Sequence, residues 1–350
     1  MNFFNYQYLD RKHLQGLNEY KYNAIDTSPV SLYIMQPFWN KCVEFFPRWF
    51  APNLMTFLGF LLLVFNFLIF SYYDFDFTES LALPSWIWLV AAICQFCSHQ
   101  LDGMDGKQAR RTKSSSALGE LFDHGVDSWA CFLFPVSIFS AISQDEYGFT
   151  PMAMHLLLWT IYASFIDSHW EKYNTKILYL PWSYDISMLK VFLRSSSYQN
   201  GTGYNRTLYE AMRPLISPIV LFISSTWWAL GSPYMIMEKQ PRIFFSAIGA
   251  TFSNIACRLV VAQMTTTRSD GFNKLLYILV PIQIMSVYGA LTERMEFSLL
   301  FLYNIFVILA HLHYAICVVR QICDHLKIFA FKIKDSSTQS SSTEAHIKHS

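Results

Sequence analysis

The fold class predicted here is an all-α, polytopic transmembrane helix bundle, and three observations predict it. The composition is too apolar for an ordinary water-soluble domain: 53% hydrophobic and 17% aromatic, with only 15% charged, over 350 residues. Apolar runs of about twenty residues, the length that crosses a bilayer's hydrocarbon, recur along the chain. The connections between them alternate between acidic and basic, as they do when successive loops face opposite sides of a membrane.

Taken in order, residues 1–50 form a cytosolic segment that is polar and aromatic at first, with Asp26-Thr27-Ser28-Pro29 offering a capped entry to a helix. From Ser31 to Phe46 apolar residues mix with Gln36, Asn40, Lys41 and Glu44, which suits an interfacial amphipathic helix flanked by Trp39 and Trp49. The first span runs from about Leu54 to Tyr73 after Pro52, and Asn53 reads as a cap for it. The second begins near Pro84, the third near Ala117 and the fourth near Met152. Further runs from about Leu215, Ile243, Leu275 and Phe297 bring the total to about eight and return the C-terminus to the side of the N-terminus.

Lys107, Arg110, Arg111 and Lys113 follow the second span, whereas Asp74, Asp76 and Glu79 precede it, so the loop after the second span faces the cytosol. The transmembrane domain covers 51–334, and the Ser- and Thr-rich tail 335–350 is expected to be disordered. Seven cysteines, mostly within apolar runs, make no disulfide framework, and Cys94 and Cys97 read as small packing residues. Nothing in the charge pattern points to nucleic acid, and the N-terminus lacks a cleavable signal. The sequons at Asn200 and Asn205 fall in a loop expected to be cytosolic, so no glycan is expected.

Four carboxylates stand out between two apolar runs, where charge is costly unless something pairs with it. Asp102 and Asp105 are three apart, and Asp123 and Asp127 four apart, so each pair shares one face of its helix. Two helix ends presenting four acids to each other predict a divalent-cation site. The alternative is that they are solvated or salt-bridged to Lys107, Arg111 and Lys113. Gly103, Gly106 and Gly119 allow close approach of backbone or ligand, and Arg110 is placed to bind phosphate. Together these are parts of a phosphoryl-transfer site. His311 and His313 point in different directions and read as satisfied interior residues, while His169 reads as an interfacial anchor.

The string fits D-x2-D-G-x2-A-R-x8-G-x3-D-x3-D without a gap, and so resembles the signature of the CDP-alcohol phosphotransferase family. Similarity to ethanolamine-using members extends through Tyr20-Lys21-Tyr22, Pro37 to Asn40, Asp105 to Thr112, Leu118 to Ser128, Ser168 to Thr175, Tyr184 to Ser187 and Tyr209 to Met212. The resemblance implies transfer of phosphoethanolamine from CDP-ethanolamine to diacylglycerol in the endoplasmic reticulum or Golgi, giving phosphatidylethanolamine and CMP. It implies that Asp102, Asp105, Asp123 and Asp127 hold two Mg2+ or Mn2+ ions. Asn53, Gly106, Ala109, Arg110 and Gly119 would contact substrate, with His124 as proton acceptor and Asp127 as the other contender. Relatives usually have ten spans, two of them between the Tyr184 and Tyr209 segments. Here that interval, Met188 to Leu208, is short and polar. A choline-using or dual-specificity enzyme, a cation carrier and a non-catalytic shortened form are the alternatives, and a homodimer is a further expectation.

Overall fold

The computed structural model describes residues 5–26, 28–78, 83–142, 149–180 and 207–333. Both sequons, the tail 335–350 and most of the Met188 to Leu208 interval lie outside these residues. The described chain is helical: α1 (Arg11–Glu19), α2 (Gln36–Cys42), α3 (Pro52–Tyr73), α4 (Ser85–Arg111), α5 (Ala117–Ile142), α6 (Pro151–Thr175), α7 (Leu208–Met212), α8 (Ile216–Gly231), α9 (Ile236–Lys239), α10 (Pro241–Met264), α11 (Leu276–Val287) and α12 (Glu293–Leu326). One pair of short parallel strands, β1 (Ala24–Asp26) and β2 (Leu178–Leu180), ties the N-terminal segment to the end of α6.

Four helical stretches are long and apolar enough to cross a membrane, namely Pro52–Tyr73, Leu208–Gly231, Pro241–Met264 and Glu293–Leu326. These apolar helices make the chain an integral membrane protein. The other expected segments lie in α4, α5, α6 and α11, of which α4 and α6 carry more polar residues and α11 is shorter. α10 is the axis of the bundle, with 94% of its apolar window buried, whereas α3 and α12 each bury 33% and show their remaining faces outward. Small residues let the neighbours close on α10: a Cβ on Gly249 would lie 2.4 Å from the Phe132 ring of α5.

The N-terminal region departs from expectation at its start. α1 forms where no helix is anticipated, because Asp10 accepts hydrogen bonds from the Lys12 and His13 amides at 2.8 and 2.9 Å. The stretch expected as one helix over Ser31 to Phe46 is a continuous helical run, in which a π-turn at Ser31–Met35 passes into α2 and then into a 3-10 turn at Val43–Phe45. Pro37, near the start of α2, has no amide to donate and sits where the π-turn gives way to α2. These pieces cross α4. Trp39 lies on Gly103 and donates to Gln100 at 2.8 Å, and Lys107 donates to Gln36 and Asn40.

Candidate active site

α4 and α5 form an antiparallel hairpin closed by residues 112–116. Ser116 starts α5 by accepting the Gly119 amide on its hydroxyl at 3.2 Å. Asp105 and Asp123 stand at equal depth from the hairpin tip, one before the end of α4 and the other after the start of α5. The hairpin therefore sets the two acid pairs opposite each other. Carboxylate oxygens of Asp102, Asp105 and Asp123 lie within 4.8 Å of one another, and so do ligand atoms of Asp123, His124 and Asp127. Asp123 belongs to both groups.

No lysine or arginine among the described residues makes an ion pair with any of the four acids. The nearby bases are engaged elsewhere: Lys107 on Gln36 and Asn40, and Arg111 on the Val43 and Phe46 carbonyls at 2.9 and 2.6 Å. Neutralisation by those side chains is thereby ruled out for Lys107 and Arg111. The arrangement can hold a metal ion, since gathered carboxylates without a counter-cation repel until a cation joins them. Thr56 of α3 donates to Asp105 and fixes one of the oxygens.

His124 is 8% exposed and stands between two acids. Its Nδ1 is 3.6 Å from Asp127 Oδ2, and its Nε2 is 4.0 Å from Glu120 Oε1. Glu120 is buried and paired with the buried Lys172, which also reaches the Tyr20 hydroxyl at 3.2 Å. His169 is not an interfacial anchor: it is 3% exposed, hydrogen-bonded to Gln263, and its ring meets that of His124 edge-on at 4.8 Å. Its position in α6 is readable from sequence, but this partner on another helix is not.

The remaining predicted residues surround the acids. Arg110 is exposed, and its guanidinium folds back over Gly106, where a Cβ would lie 3.5 Å from Nη1. Gly119 faces the Asn53 side chain, with a Cβ there 3.5 Å from Oδ1, an ordinary contact distance. Packing thus leaves room at Gly106 and Gly119, whereas at Gly103 it forbids a side chain, because a Cβ would fall 2.2 Å from Trp39. Ala109 is part-buried, and its carbonyl accepts the Ser114 amide at 2.9 Å as α4 ends. Asn53 does not cap α3: Ala51 holds the cap position, and Asn53 Nδ2 donates to the Ala330 carbonyl at 2.9 Å.

His311 and His313 do have separate partners, Trp129 Nε1 and Tyr8 Oη, each at 3.0 Å. All seven cysteines are free. The N-terminal segment adds a wall that sequence reasoning missed. Tyr22 lies under the Lys172 ammonium, 5.1 Å from its ring centroid. Its hydroxyl is pushed up to about 12 by burial and then by the Asp123 carboxylate.

The sequence pattern of the CDP-alcohol phosphatidyltransferase family matches residues 49–178, the stretch that builds this site. Ethanolaminephosphotransferase 1 of Mus musculus is 42% identical over 381 aligned residues, covering 94% of this chain and 95% of the relative. The protein of the same name from Homo sapiens is likewise 42% identical, over 94% and 95% of the two chains. Choline/ethanolaminephosphotransferase 2 of Arabidopsis thaliana is 26% identical over 93% of this chain and 98% of its own. An alignment of 381 residues exceeds the 350 of this chain, so the mouse protein carries residues that are missing here. The chain belongs to the CDP-alcohol phosphatidyltransferase family and is an enzyme of the CDP-alcohol phosphotransferase type.

Proposed function

We propose that the protein transfers phosphoethanolamine from CDP-ethanolamine to the hydroxyl of diacylglycerol, releasing CMP and forming phosphatidylethanolamine. The observation that carries this reading is the pair of ligand groups sharing Asp123, since two adjacent sites suit a diphosphate. The donor set is all oxygen apart from His124, which fits Mg2+ or Mn2+. Asp102, Asp105 and Asp123 would hold one ion, and Asp123 and Asp127 the other. Bound there, the ions would neutralise the diphosphate and make its phosphorus easier to attack.

Arg110 and Asn53 bind the nucleotide, and Gly106, Ala109 and Gly119 leave it room. His124 takes the lipid hydroxyl's proton on Nδ1 as that oxygen bonds to the phosphorus next to ethanolamine and the bond to CMP breaks. Asp127 Oδ2 and Glu120 Oε1 flank the imidazole, 3.6 Å from Nδ1 and 4.0 Å from Nε2. Lys172 holds Glu120 in place. The basic residues that follow the second span would put the site at the cytosolic face of the endoplasmic reticulum or Golgi membrane, in a bundle of about eight crossings, where a soluble nucleotide and a bilayer lipid can meet. A homodimer belongs to the same reading.

Purified protein, radiolabelled CDP-ethanolamine, diacylglycerol and Mn2+ test it. Asp123→Asn is expected to bring product below detection, and His124→Ala to slow turnover by roughly a hundredfold or more. Product that survives Asp123→Asn rejects the metal assignment, and an active His124→Ala beside an inactive Asp127→Asn moves the base to Asp127. The name of the Arabidopsis relative favours a second reading, dual choline and ethanolamine use. Competition between CDP-choline and CDP-ethanolamine in the same assay separates the two.

A further inference from the structure

The chain leaves α12 through Lys327, whose φ of 55° is left-handed, and turns back across the first turns of α3 and α5. Ile328 and Ala330 rest on an apolar cluster that contains Ala117, Leu118 and Leu121 of the first turns of α5. Phe331 wedges between Phe57 of α3 and Phe122 of α5, with ring centroids 5.4 Å from each. Phe57 is one turn beyond Asn53, and Phe122 precedes Asp123. Between these contacts the Ala330 carbonyl takes the Asn53 amide hydrogen at 2.9 Å, across 277 positions of sequence.

That bond decides which way the Asn53 amide points. Its donor end is occupied by Ala330, and its acceptor end, Oδ1, faces Gly119 and the signature. A free asparagine on a helix end would rotate between two orientations, and a nucleotide would have to select one. We propose that residues 327–333 form a strap that positions Asn53 for the nucleotide, with Ala330 as the positioning residue and Phe331 as the wedge that keeps it there. The strap acts on nucleotide affinity and not on the reacting atoms. It rests on the reading of Asn53 as a nucleotide contact.

CMP with Mn2+ is the probe, titrated calorimetrically into the full chain, Phe331→Ala, Phe331→Tyr, Asn53→Ala and the Asn53→Ala/Phe331→Ala double variant. Phe331→Ala is expected to weaken CMP binding on the order of fivefold, the scale of one neutral hydrogen bond. Phe331→Tyr, which keeps the wedge, should restore it. In the Asn53→Ala background, Phe331→Ala should add little, because its effect passes through Asn53. In turnover assays the same variant should raise KM for CDP-ethanolamine and leave kcat and the KM for diacylglycerol within about twofold.

A thermal midpoint close to that of the full chain shows that Phe331→Ala is folded. If the midpoint falls, Phe331→Leu takes its place. Unchanged CMP affinity overturns the strap, as does a full Phe331→Ala penalty persisting without Asn53. A full chain that binds CMP but transfers no headgroup refutes the proposed function while leaving the strap to be judged on CMP affinity alone. A full chain that does not bind CMP overturns both.

Discussion

The hydroxyl of Tyr22 lies in the field of Asp123, Asp105 and Asp127, with Arg110 opposing them. Burial is the largest cause of its raised value and Asp123 the next, even though more than half of the residue's surface is open. The ordinary tyrosine value is near 10, so Tyr22 should stay protonated through that range and ionise near 12. The sign for stability follows: the unfolded chain loses this proton first, so the contribution is intact below about pH 10 and is lost as pH rises towards 12. A difference titration against Tyr22→Phe, followed by tyrosinate absorbance, measures the midpoint. Asp123→Asn should lower it, and so should saturating Mn2+, because each removes negative charge from the same spot. A midpoint near 10 that neither change moves would place Tyr22 away from the acids.

Between α2 and α4 the contact is made by residues that lie among the ligands in sequence but serve another helix. Gly103 admits the Trp39 ring, while Lys107, Gln108 and Arg111 bind side chains and carbonyls of residues 36–50. A Cβ at 103 would stand 2.2 Å from Trp39 Cε2, so Gly103→Ala must push the indole off α4, at a cost of about 1–3 kcal/mol. Thermal unfolding in detergent should show the loss, and Trp39→Ala in the same chain should recover part of it, a non-additivity that marks direct contact. Equal losses that simply add would mean that the two do not touch. These residues also show what a sequence makes legible. The spacing of Asp102, Asp105, Asp123 and Asp127 along two helices is a local property, and it gave the cluster. The partners of Gly103, His169 and Asn53 come from distant stretches, and no local pattern encodes a contact such as Asn53 with Ala330. The cap expected at Asn53 failed for a nearer reason: Ala51 is the cap and Pro52 already occupies the first helical position, leaving Asn53 two residues too late.

Across the whole molecule the two ends of the bundle hold their charges differently. At the end bearing the acid cluster, no Lys or Arg among the described residues pairs with the four carboxylates, while Lys107, Arg110, Arg111, Lys113, Lys172, Lys176 and Lys327 lie at the same end of their helices or in the turns that follow. At the other end, buried charges are solvated by fixed hydrogen bonds. Glu296 accepts from Trp228 Nε1 at 2.7 Å and from Ser232 and Ser286, while Arg242 donates to the Asp74 and Phe75 carbonyls and to Ser140. One end is tied shut and the other left able to receive ligands. Thr56 in α3 and Asp74 at its C-cap are 18 positions apart, a rise of about 27 Å at 1.5 Å per residue, so the ends are close to a bilayer's hydrocarbon thickness apart. The excess of Lys and Arg near the acid cluster then predicts that this end faces the cytosol. In a cysteine-free background that retains activity, Lys113→Cys sits beside the cluster and Tyr288→Cys, 77% exposed, at the far end. A membrane-impermeant maleimide should label the first in sealed microsomes and the second only after they are opened. Labelling in the reverse order would turn the enzyme over in the membrane, and labelling of both in sealed vesicles would mean that residues 113 and 288 share one side, which an odd number of crossings between them does not allow.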